Sequence, residues 1–156
     1  ARTKQNLRNR PLQILVTKSV QQMQVFYNGR LWGTFDVTTG RNRQEKANSG
    51  KTYFSATRPG SFTIDWMTTM HRSSTWGGAE MPHSMFFNGG IAIHGTTPSH
   101  FEELGRPPGK YFVNSKGKKQ MAGSGSCVRL HPTNAKKLYA LVKEVGAKNV
   151  AITIVE

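Results

Sequence analysis

Alternation of apolar and polar residues predicts a β-rich opening of the chain. Residues 12–16 (Leu-Gln-Ile-Leu-Val) form the first predicted strand, and the period-two pattern returns over residues 22–27. Asn28-Gly29 follows, which is the strongest short signal for a hairpin turn. The return strand is then predicted over residues 31–37, so the opening is interpreted as a β-meander.

The middle of the chain contains further short apolar runs. Pro59-Gly60 predicts a turn before a strand at residues 61–64. The runs 85–87 and 91–93 flank Asn88-Gly89-Gly90, which makes them a second hairpin candidate and places His94 at a strand end. The polar stretch 38–51 is predicted to be a loop, and residues 67–80 an irregular surface segment.

The last third of the chain combines a long loop with the clearest helix. Residues 97–123 contain three prolines and four glycines, so they are predicted to be a loop with a small hairpin near residues 111–113. Apolar residues then recur at helical spacing after Pro132, with Thr133 or Asn134 as the N-cap and Gly146 as the end. With a final strand at residues 150–155, the predicted fold class is mainly β with one clear helix.

Composition limits the class of protein. A chain of 156 residues fits one domain, preceded here by a basic segment, residues 1–11, that is predicted to be a flexible arm. Neither a signal peptide nor a transmembrane segment is expected in this chain. The net charge of +14 favours an anionic partner such as a cell-wall polymer, an acidic lipid or a nucleic acid. A solvated basic surface without a ligand explains the charge equally well.

Cys127 is the only cysteine, so an intrachain disulfide is excluded. A lone cysteine is either a small buried apolar residue or a reactive thiol. The small residues at 122–126 allow a sharp turn whose amides can form an oxyanion hole, and Arg129 supplies a nearby positive charge. Both interpretations of the thiol stay open on composition alone.

His94 is one candidate for a base, because a strand end offers rigid support behind the side chain and open space ahead. A single histidine at such a place is more often structural, and the competing candidates are His71, His83, His100 and His131. The other histidines show no metal-ligand spacing, and the acidic residues form no paired-carboxylate pattern. No phosphate-binding glycine motif is present either. We therefore expect neither a metal nor a cofactor. Trp66 and Trp76 are interpreted as core residues or as surfaces that stack on a sugar or line a groove.

Three segments together carry a family resemblance. Residues 81–96 (MPHSMFFNGGIAIHGT), residues 104–107 (LGRP) and residues 124–132 (SGSCVRLHP) resemble the catalytic half of the L,D-transpeptidase family, the YkuD-type domain. Residues 38–40, residues 57–62 and the helix from Asn134 also resemble that family. The resemblance covers residues 12–156, and it implies a β-sandwich of mixed strands with one helix after the catalytic cysteine.

The resemblance also implies a reaction. In this family a cysteine thiolate attacks a peptidoglycan tetrapeptide stem, D-alanine leaves, and an amine or water resolves the thioester. Carried over to this chain, Cys127 is the nucleophile, His94 the base, and the Gly95 carbonyl orients the imidazole. Arg129 shapes the pocket or meets a substrate carboxylate. The remaining implied substrate-binding or oxyanion residues are Ser124, Gly125, Ser126, His83 and Met85, with Tyr53 as a further cleft residue.

The chain departs from the family pattern at two places. Most members have His-Gly where this chain has Gly125-Ser126, which bears on the geometry of the oxyanion hole. Cys127 also lies 33 positions (127 − 94) after His94, and the extra residues suggest a basic insertion at about residues 108–123. That insertion is interpreted either as a hairpin over the active site or as a surface addition without a role.

Four functions therefore remain in competition. The leading one is an exported transpeptidase, periplasmic or at the cell surface, that cross-links peptidoglycan or anchors a protein to it. The others are a hydrolase on the same fold, an inactive module that binds an anionic wall polymer, and a nucleic-acid-binding protein, which explains the charge and none of the motifs. The resemblance implies carbapenem-type inhibitors, and a monomer without a nucleic-acid partner is expected.

Overall fold

The computed structural model describes residues 7–73 and 77–156, so Trp76 lies outside the described residues. These ranges contain thirteen strands and a 14-residue helix, α1, at Pro132–Val145. The strands are β1 Leu12–Thr17, β2 Gln22–Tyr27, β3 Arg30–Asp36, β4 Gln44–Lys46, β5 Thr52–Phe54, β6 Gly60–Phe62, β7 Trp66–Ser73, β8 Ala79–Asn88, β9 Ile91–Gly95, β10 Tyr111–Val113, β11 Lys119–Met121, β12 Val128–Leu130 and β13 Val150–Val155.

Two sheets form the body of the domain. The larger has five strands in the order β3-β2-β1-β13-β6, with β1 parallel to β13 and antiparallel to β2. The smaller has four strands in the order β12-β9-β8-β7, with β12 parallel to β9. Two separate hairpins, β4-β5 and β10-β11, complete the strands. The predicted mainly β sandwich of mixed strands is confirmed.

The hydrophobic core lies between the two sheets. In β1 the residues at alternate positions, Leu12, Ile14 and Val16, are at most 1% exposed, as the period of two requires. They share one buried cluster with Met85 from β8 and Ile93 from β9. The sequence therefore places the apolar face of each sheet against the other.

Helix α1 packs against β8 and β9 and contributes to the same core. Its buried residues, Ala135, Leu138 and Val142 among them, repeat at helical spacing. The helix ends as predicted at Gly146, whose φ of +97° favours glycine. The predicted N-cap is wrong, because the His131 side chain accepts from the Thr133 amide and Pro132 occupies the first turn.

Two segments predicted as irregular contain strands. Residues 67–80 include most of β7 and the start of β8, which pair in regular register from Trp66 opposite Phe86 to Ser73 opposite Ala79. The predicted loop at residues 38–51 contains β4, which pairs with β5. Both strands lie at sheet edges or in a small hairpin, where solvent-facing polar residues hide the apolar alternation.

The end of the predicted arm differs from expectation, whereas the small hairpin predicted in the long loop is present. Leu7 and Arg10 are each 8% exposed, and the Arg10 guanidinium donates to the Val150 carbonyl at 2.7 Å, so residues 7–10 pack on the domain. The hairpin predicted near residues 111–113 is present as β10-β11. Gln120 donates from this hairpin to the Ser99 carbonyl at 3.0 Å, which fixes the hairpin to the turn before it.

Candidate active site

The site is built on the parallel pair β9 and β12. Ile93 lies opposite Val128, and His94 lies opposite Arg129. Ile93 and Val128 are fully buried in the core between the sheets. Because side chains alternate along a strand, His94 and Arg129 project from the other face of the small sheet. One face of these strands therefore stabilises the fold, and the other face carries the polar candidates.

Cys127 lies on that same outer face. It precedes Val128 by one residue, and the Ala92 amide donates to its sulfur over 3.4 Å, so Cys127 stands opposite Ala92. His94 is two residues beyond Ala92 on the neighbouring strand. Ideal strand spacing puts the Cα atoms of Cys127 and His94 about 8 Å apart on a shared face, within side-chain reach.

The ring of His94 is held in one orientation. Its Nδ1–H donates to the Gly95 carbonyl oxygen at 2.7 Å, since a carbonyl can only accept. This assigns the proton to Nδ1 and leaves the Nε2 lone pair as the acceptor. The ring is 5% exposed, and burial is the main reason why the pKa of His94 falls to about 4. The imidazole is therefore neutral near pH 7.

The thiol of Cys127 is also neutral near pH 7 in the unliganded protein. Burial raises its pKa, while the Ala92 amide and the charge of Arg129 act in the opposite direction. A neutral thiol and a neutral imidazole with a free Nε2 lone pair form a proton donor and a proton acceptor. In the resting protein the two groups are therefore a neutral thiol and a neutral imidazole rather than an ion pair.

Hydrogen bonds to Ser124 and Ser126 fix the loop that precedes Cys127. The amide of Ser124 donates to the Thr39 carbonyl at 2.8 Å, and the Arg41 amide donates to the Ser124 carbonyl at 3.1 Å. The Thr57 hydroxyl donates to the Ser126 carbonyl at 2.6 Å and accepts from the Gly40 amide at 2.9 Å. The segment 38–40 thereby acts as a further strand-like neighbour on the free edge of β12.

Glu103 is a buried carboxylate beneath the site. It is 2% exposed and accepts from His100 at 2.6 Å, from Gln120 at 2.7 Å and from the Gly123 amide at 3.1 Å. Burial alone would raise the pKa of Glu103, but the bonds from His100 and Gln120 bring it below its usual range. The Arg129 guanidinium lies 4.0 Å away, so Glu103 partly balances its charge.

The site opens into a cavity of about 740 Å³. Cys127, His94 and Arg129 form part of its wall. The hairpin β4-β5 borders it on one side, and the ends of β7 and β8 nearest their connecting turn border it on another. The volume is in the range of sites that hold a small molecule or a short peptide segment.

The cavity wall contains some of the predicted residues and not others. Ser124, Gly125 and Ser126 line it. Two expectations need correction, because the structure places neither His83 nor Met85 in the described wall. Met85 is fully buried in the core, and the His83 ring packs edge-on against Tyr139 of α1, on the opposite face of the sheet.

The predicted basic hairpin over the active site also needs correction. Among the described residues that line the cavity, none belongs to the range 108–123. The hairpin that borders the cavity is β4-β5, through Tyr53 and Lys51 among others. The polar composition of residues 38–51 concealed this hairpin in the sequence.

Sequence reasoning missed three supporting side chains. Thr57 and Glu103 hold the loop before Cys127, and the Arg41 guanidinium donates to the Gly123 carbonyl at 2.9 Å while it pairs with Glu45. Apart from the Arg41–Glu45 pair, these contacts span between 17 and 82 positions of sequence, so no local pattern reports them. The one available signal was the resemblance at residues 38–40 and 57–62, which contain Thr57 and adjoin Arg41.

Within residues 7–73 and 77–156, no three His, Cys, Asp or Glu side chains are grouped so that they could hold a metal ion. No helix in the described part of the chain has the length and apolarity needed to cross a membrane.

Comparison with known proteins assigns the family. A family model described as the L,D-transpeptidase catalytic domain matches residues 11–152. Among curated protein sequences, no match was found. Similar solved structures include the L,D-transpeptidase from Xylanimonas cellulosilytica, residues 123–326, at 19% identity and a TM-score of 0.67, covering 93% of this chain and 60% of that chain.

Two further structures show the same likeness. The L,D-transpeptidase from Stackebrandtia nassauensis has 22% identity and a TM-score of 0.64, covering 95% of this chain and 57% of its own. An L,D-transpeptidase solved in complex with imipenem has 17% identity and a TM-score of 0.62, covering 94% and 59%. This chain thus spans about three-fifths of these solved chains, and at such identities they show the fold. With most of its length matched by the family model, the chain belongs to the L,D-transpeptidase catalytic-domain family.

Proposed function

We propose that this protein is an L,D-transpeptidase that acts on peptidoglycan tetrapeptide stems, with Cys127 as nucleophile and His94 as base. The observation that carries the proposal is the placement of both side chains on one face of β9 and β12, in one cavity. The Nδ1 bond to Gly95 supports it, because it leaves Nε2 as the proton acceptor. Family membership supports the reaction class.

The proposed acylation step transfers one proton and exchanges one bond. The thiol proton of Cys127 passes to Nε2 of His94 as sulfur attacks the carbonyl carbon of the third stem residue. The imidazolium then gives that proton to the departing amine of D-alanine, so the step ends with a thioester and free D-alanine. In the second half, an acceptor amine loses its proton to His94 and attacks the thioester, which restores the thiol.

The amides before the thiol are the proposed oxyanion donors. Among the backbone hydrogen bonds of the described residues, none is donated by the amides of Ser126 or Cys127. The bond from the Thr57 hydroxyl to the Ser126 carbonyl fixes the peptide plane that carries the Cys127 amide, and the Ser126 hydroxyl bonds to the Gly125 carbonyl of the plane that carries the Ser126 amide. Donors held in place before reaction stabilise developing negative charge without reorganising. The serine at position 126 is thus compatible with a hole formed by backbone groups.

Arg129 is proposed to orient the substrate. Its guanidinium is only partly balanced by Glu103 at 4.0 Å and lies in the cavity wall, where a carboxylate of the stem peptide can meet it. The acceptor is proposed to be an amine of a second stem or of an anchored protein. Water in the same position would make the protein a hydrolase, because both acceptors use the same thioester.

Incubation with purified tetrapeptide-stem muropeptides tests the proposal. We expect release of D-alanine and a mass increase on Cys127 that corresponds to the acyl tripeptide. Cys127→Ala and His94→Gln are expected to lose D-alanine release by at least a hundredfold, while Ser115→Ala, an exposed residue of the β10-β11 turn, retains it. Equal activity in Cys127→Ala would contradict the mechanism, and mass spectrometry of the products separates cross-linking from hydrolysis.

Covalent labelling gives a second test that needs no natural substrate. A relative of this fold was solved with imipenem, and another as the avibactam carbamoyl enzyme. We propose that a carbapenem acylates Cys127 here. Labelling of the wild type and not of Cys127→Ala would count against an inactive wall-binding module, whereas an unlabelled wild type that binds wall polymer would favour that module.

We also propose that the protein works outside the cytoplasm, where its substrate lies, in the periplasm or at the cell surface. The net charge of +14 favours an anionic wall polymer as the long-range partner. Cell fractionation of the native host tests the location. Sedimentation with purified peptidoglycan at increasing salt tests the charge, since screening weakens electrostatic binding.

A further inference from the structure

A row of four side chains starts at the Cys127 thiol and crosses the outer face of the small sheet to the edge strand β7. Cys127 stands opposite Ala92, Ala92 is paired with Phe86, and Phe86 is paired with Trp66. Directly opposed residues on neighbouring strands share a face, so all four side chains are on the face of the sheet that carries the proposed site. Phe86, Ala92 and Cys127 pack in one small cluster with Met81 of the cavity wall.

The row ends in an aromatic platform, which we define as Trp66, Phe86 and His71 and of which Trp66 is the exposed member. The rings of Trp66 and Phe86 stack with centroids 4.2 Å apart and planes within 4°. His71 packs edge-on against both rings, at 5.8 Å from Trp66 and 5.0 Å from Phe86. Trp66 is nevertheless 47% exposed, so with one indole face covered by Phe86 the other face accounts for most of the open surface.

From this arrangement we propose that the platform is a subsite for a pyranose of the glycan strand that carries the donor stem. The proposal rests on the proposed function and specifies where its substrate continues beyond the peptide. A flat indole face held rigid by a second ring suits the apolar face of a sugar, and the edge-on imidazole of His71 offers polar atoms beside it. Trp66 is part of a sheet edge, which leaves room for a long polymer.

The spacing between the platform and the thiol fits this occupant. Trp66 on β7 is separated from Cys127, next to β12, by three inter-strand spacings. At the usual spacing of about 4.8 Å between strands, this is about 14 Å. In the stem, three residues separate the attacked carbonyl from the lactyl group of the sugar, and they extend to about 11 Å. The lactyl group adds about one more residue length. A stem whose third residue meets Cys127 therefore places its sugar over Trp66.

The test compares two donors, a free tetrapeptide and the same tetrapeptide on its disaccharide. We expect the wild type to favour the disaccharide form in kcat/KM, and Trp66→Ala to reduce that preference about three- to tenfold, mainly through KM. Trp66→Phe is expected to restore part of it. Trp32→Ala is the matched control, because Trp32 is 39% exposed and tilted against Phe35 on the edge strand β3 of the other sheet.

Three outcomes would overturn the subsite. A wild type without preference for the disaccharide form would do so, as would a Trp66→Ala variant that loses activity equally on both donors, which indicates a purely structural ring. Loss of a dimer in Trp66→Ala at assay concentration, seen by sedimentation, would assign the platform to a second copy of the chain.

A binding measurement separates failure of the subsite from failure of the proposed function. In Cys127→Ser protein, titration with the disaccharide-tetrapeptide is expected to shift the indole N–H resonance of Trp66 and leave that of Trp32 in place. If the wild type has no transpeptidase activity on either donor, the proposed reaction fails and this titration still decides the subsite. An unchanged Trp66 resonance at saturating ligand would overturn it.

Discussion

Arg129 and His94 lie directly opposite each other on the parallel strands β12 and β9. The guanidinium charge disfavours a second positive charge on the imidazole, so it adds to the effect of burial in lowering the pKa of His94 to about 4. The same charge lowers the pKa of Cys127, against the larger effect of burial. One cation therefore favours loss of a proton from both groups of the proposed pair.

The pH dependence of acylation follows from this arrangement. His94 accepts a proton only when neutral, so kcat/KM is expected to rise tenfold per pH unit up to about 4 and to stay level between about pH 5 and 7. Stopped-flow acylation by imipenem measures this profile. A limb near 6.5, the ordinary value of histidine, would contradict the description of the buried ring.

Removal of the Arg129 charge is expected to shift the acid limb of the pH profile of acylation. In Arg129→Gln the charge contribution is lost while burial remains, so the pKa of His94 rises and the acid limb moves to higher pH. Arg106→Gln, an exposed arginine whose guanidinium donates to the Glu102 carbonyl and lies 4.2 Å from the centre of the Phe112 ring, is the control. Its profile is expected to match that of the wild type.

The stability of the fold is expected to depend on the same ring. The pKa of His94 is about 4 in the folded protein and about 6.5 in the unfolded chain, so the unfolded chain binds the proton first as pH falls. The contribution of the neutral His94 ring to the free energy of unfolding is therefore complete above about pH 6.5. It is lost as pH falls toward 4, to a total of about 3 kcal/mol. Chemical denaturation of wild type and His94→Gln at each pH isolates this difference, which should be absent in the variant.

Thr57 is expected to act on catalysis through the loop that it holds. Thr57→Val keeps the shape and removes both the bond to the Ser126 carbonyl and the acceptor for the Gly40 amide. We expect a loss of about 1–3 kcal/mol in the free energy of unfolding and at least a tenfold fall in the acylation rate constant. Thr34→Val on the exposed edge strand β3 is the control, and equal effects would show that loop position does not matter.

Replacing Glu103 is expected to destabilise the fold far more than replacing its exposed neighbour Glu102. Glu103→Gln places an amide NH₂ among three donors, from His100, Gln120 and Gly123, so one of them loses its acceptor. The expected cost is about 2–4 kcal/mol, or roughly 5–15 °C in Tm for a domain of this size. Glu102→Gln is the control, since its carboxylate bonds only to exposed Ser115 among the described residues. Thermal melts of both variants decide the point.

The fold was predictable where one sheet face is apolar and turn residues are specific. Asn28-Gly29 marks the β2-β3 hairpin, and the apolar run of β13 was predicted with its observed bounds. β7 was not predicted, because it is an edge strand that leaves two large apolar residues, Trp66 and Met70, exposed. It pairs with β8 across a short turn, and its mixed polar and apolar residues show no period of two that would have marked a strand.

The candidate site was predictable only through joint motifs. Cys127 and His94 are 33 positions apart, and neither has a local pattern that demands chemistry. The parallel pairing of β9 with β12 brings them together, and a parallel pair has no tight turn to announce it. Thr57 and Glu103 were missed for the same reason, because the loop residues that they hold, Ser126 and Gly123, are distant from them in the chain.

The strict alternation along β9 couples the packing of the core, on one face of the strand, to the chemistry of the site, on the other face. Ile93 faces the core and Gly95 faces α1, where a Cβ would come within 3.1 Å of Pro132, while on the other face Ala92 packs beside Cys127 and His94 lines the cavity. Deleting one residue from this strand would exchange the two sets. Evolution can thus vary the chemistry of this domain by substitution at every second position, whereas single-residue insertions and deletions within β9 are closed to it.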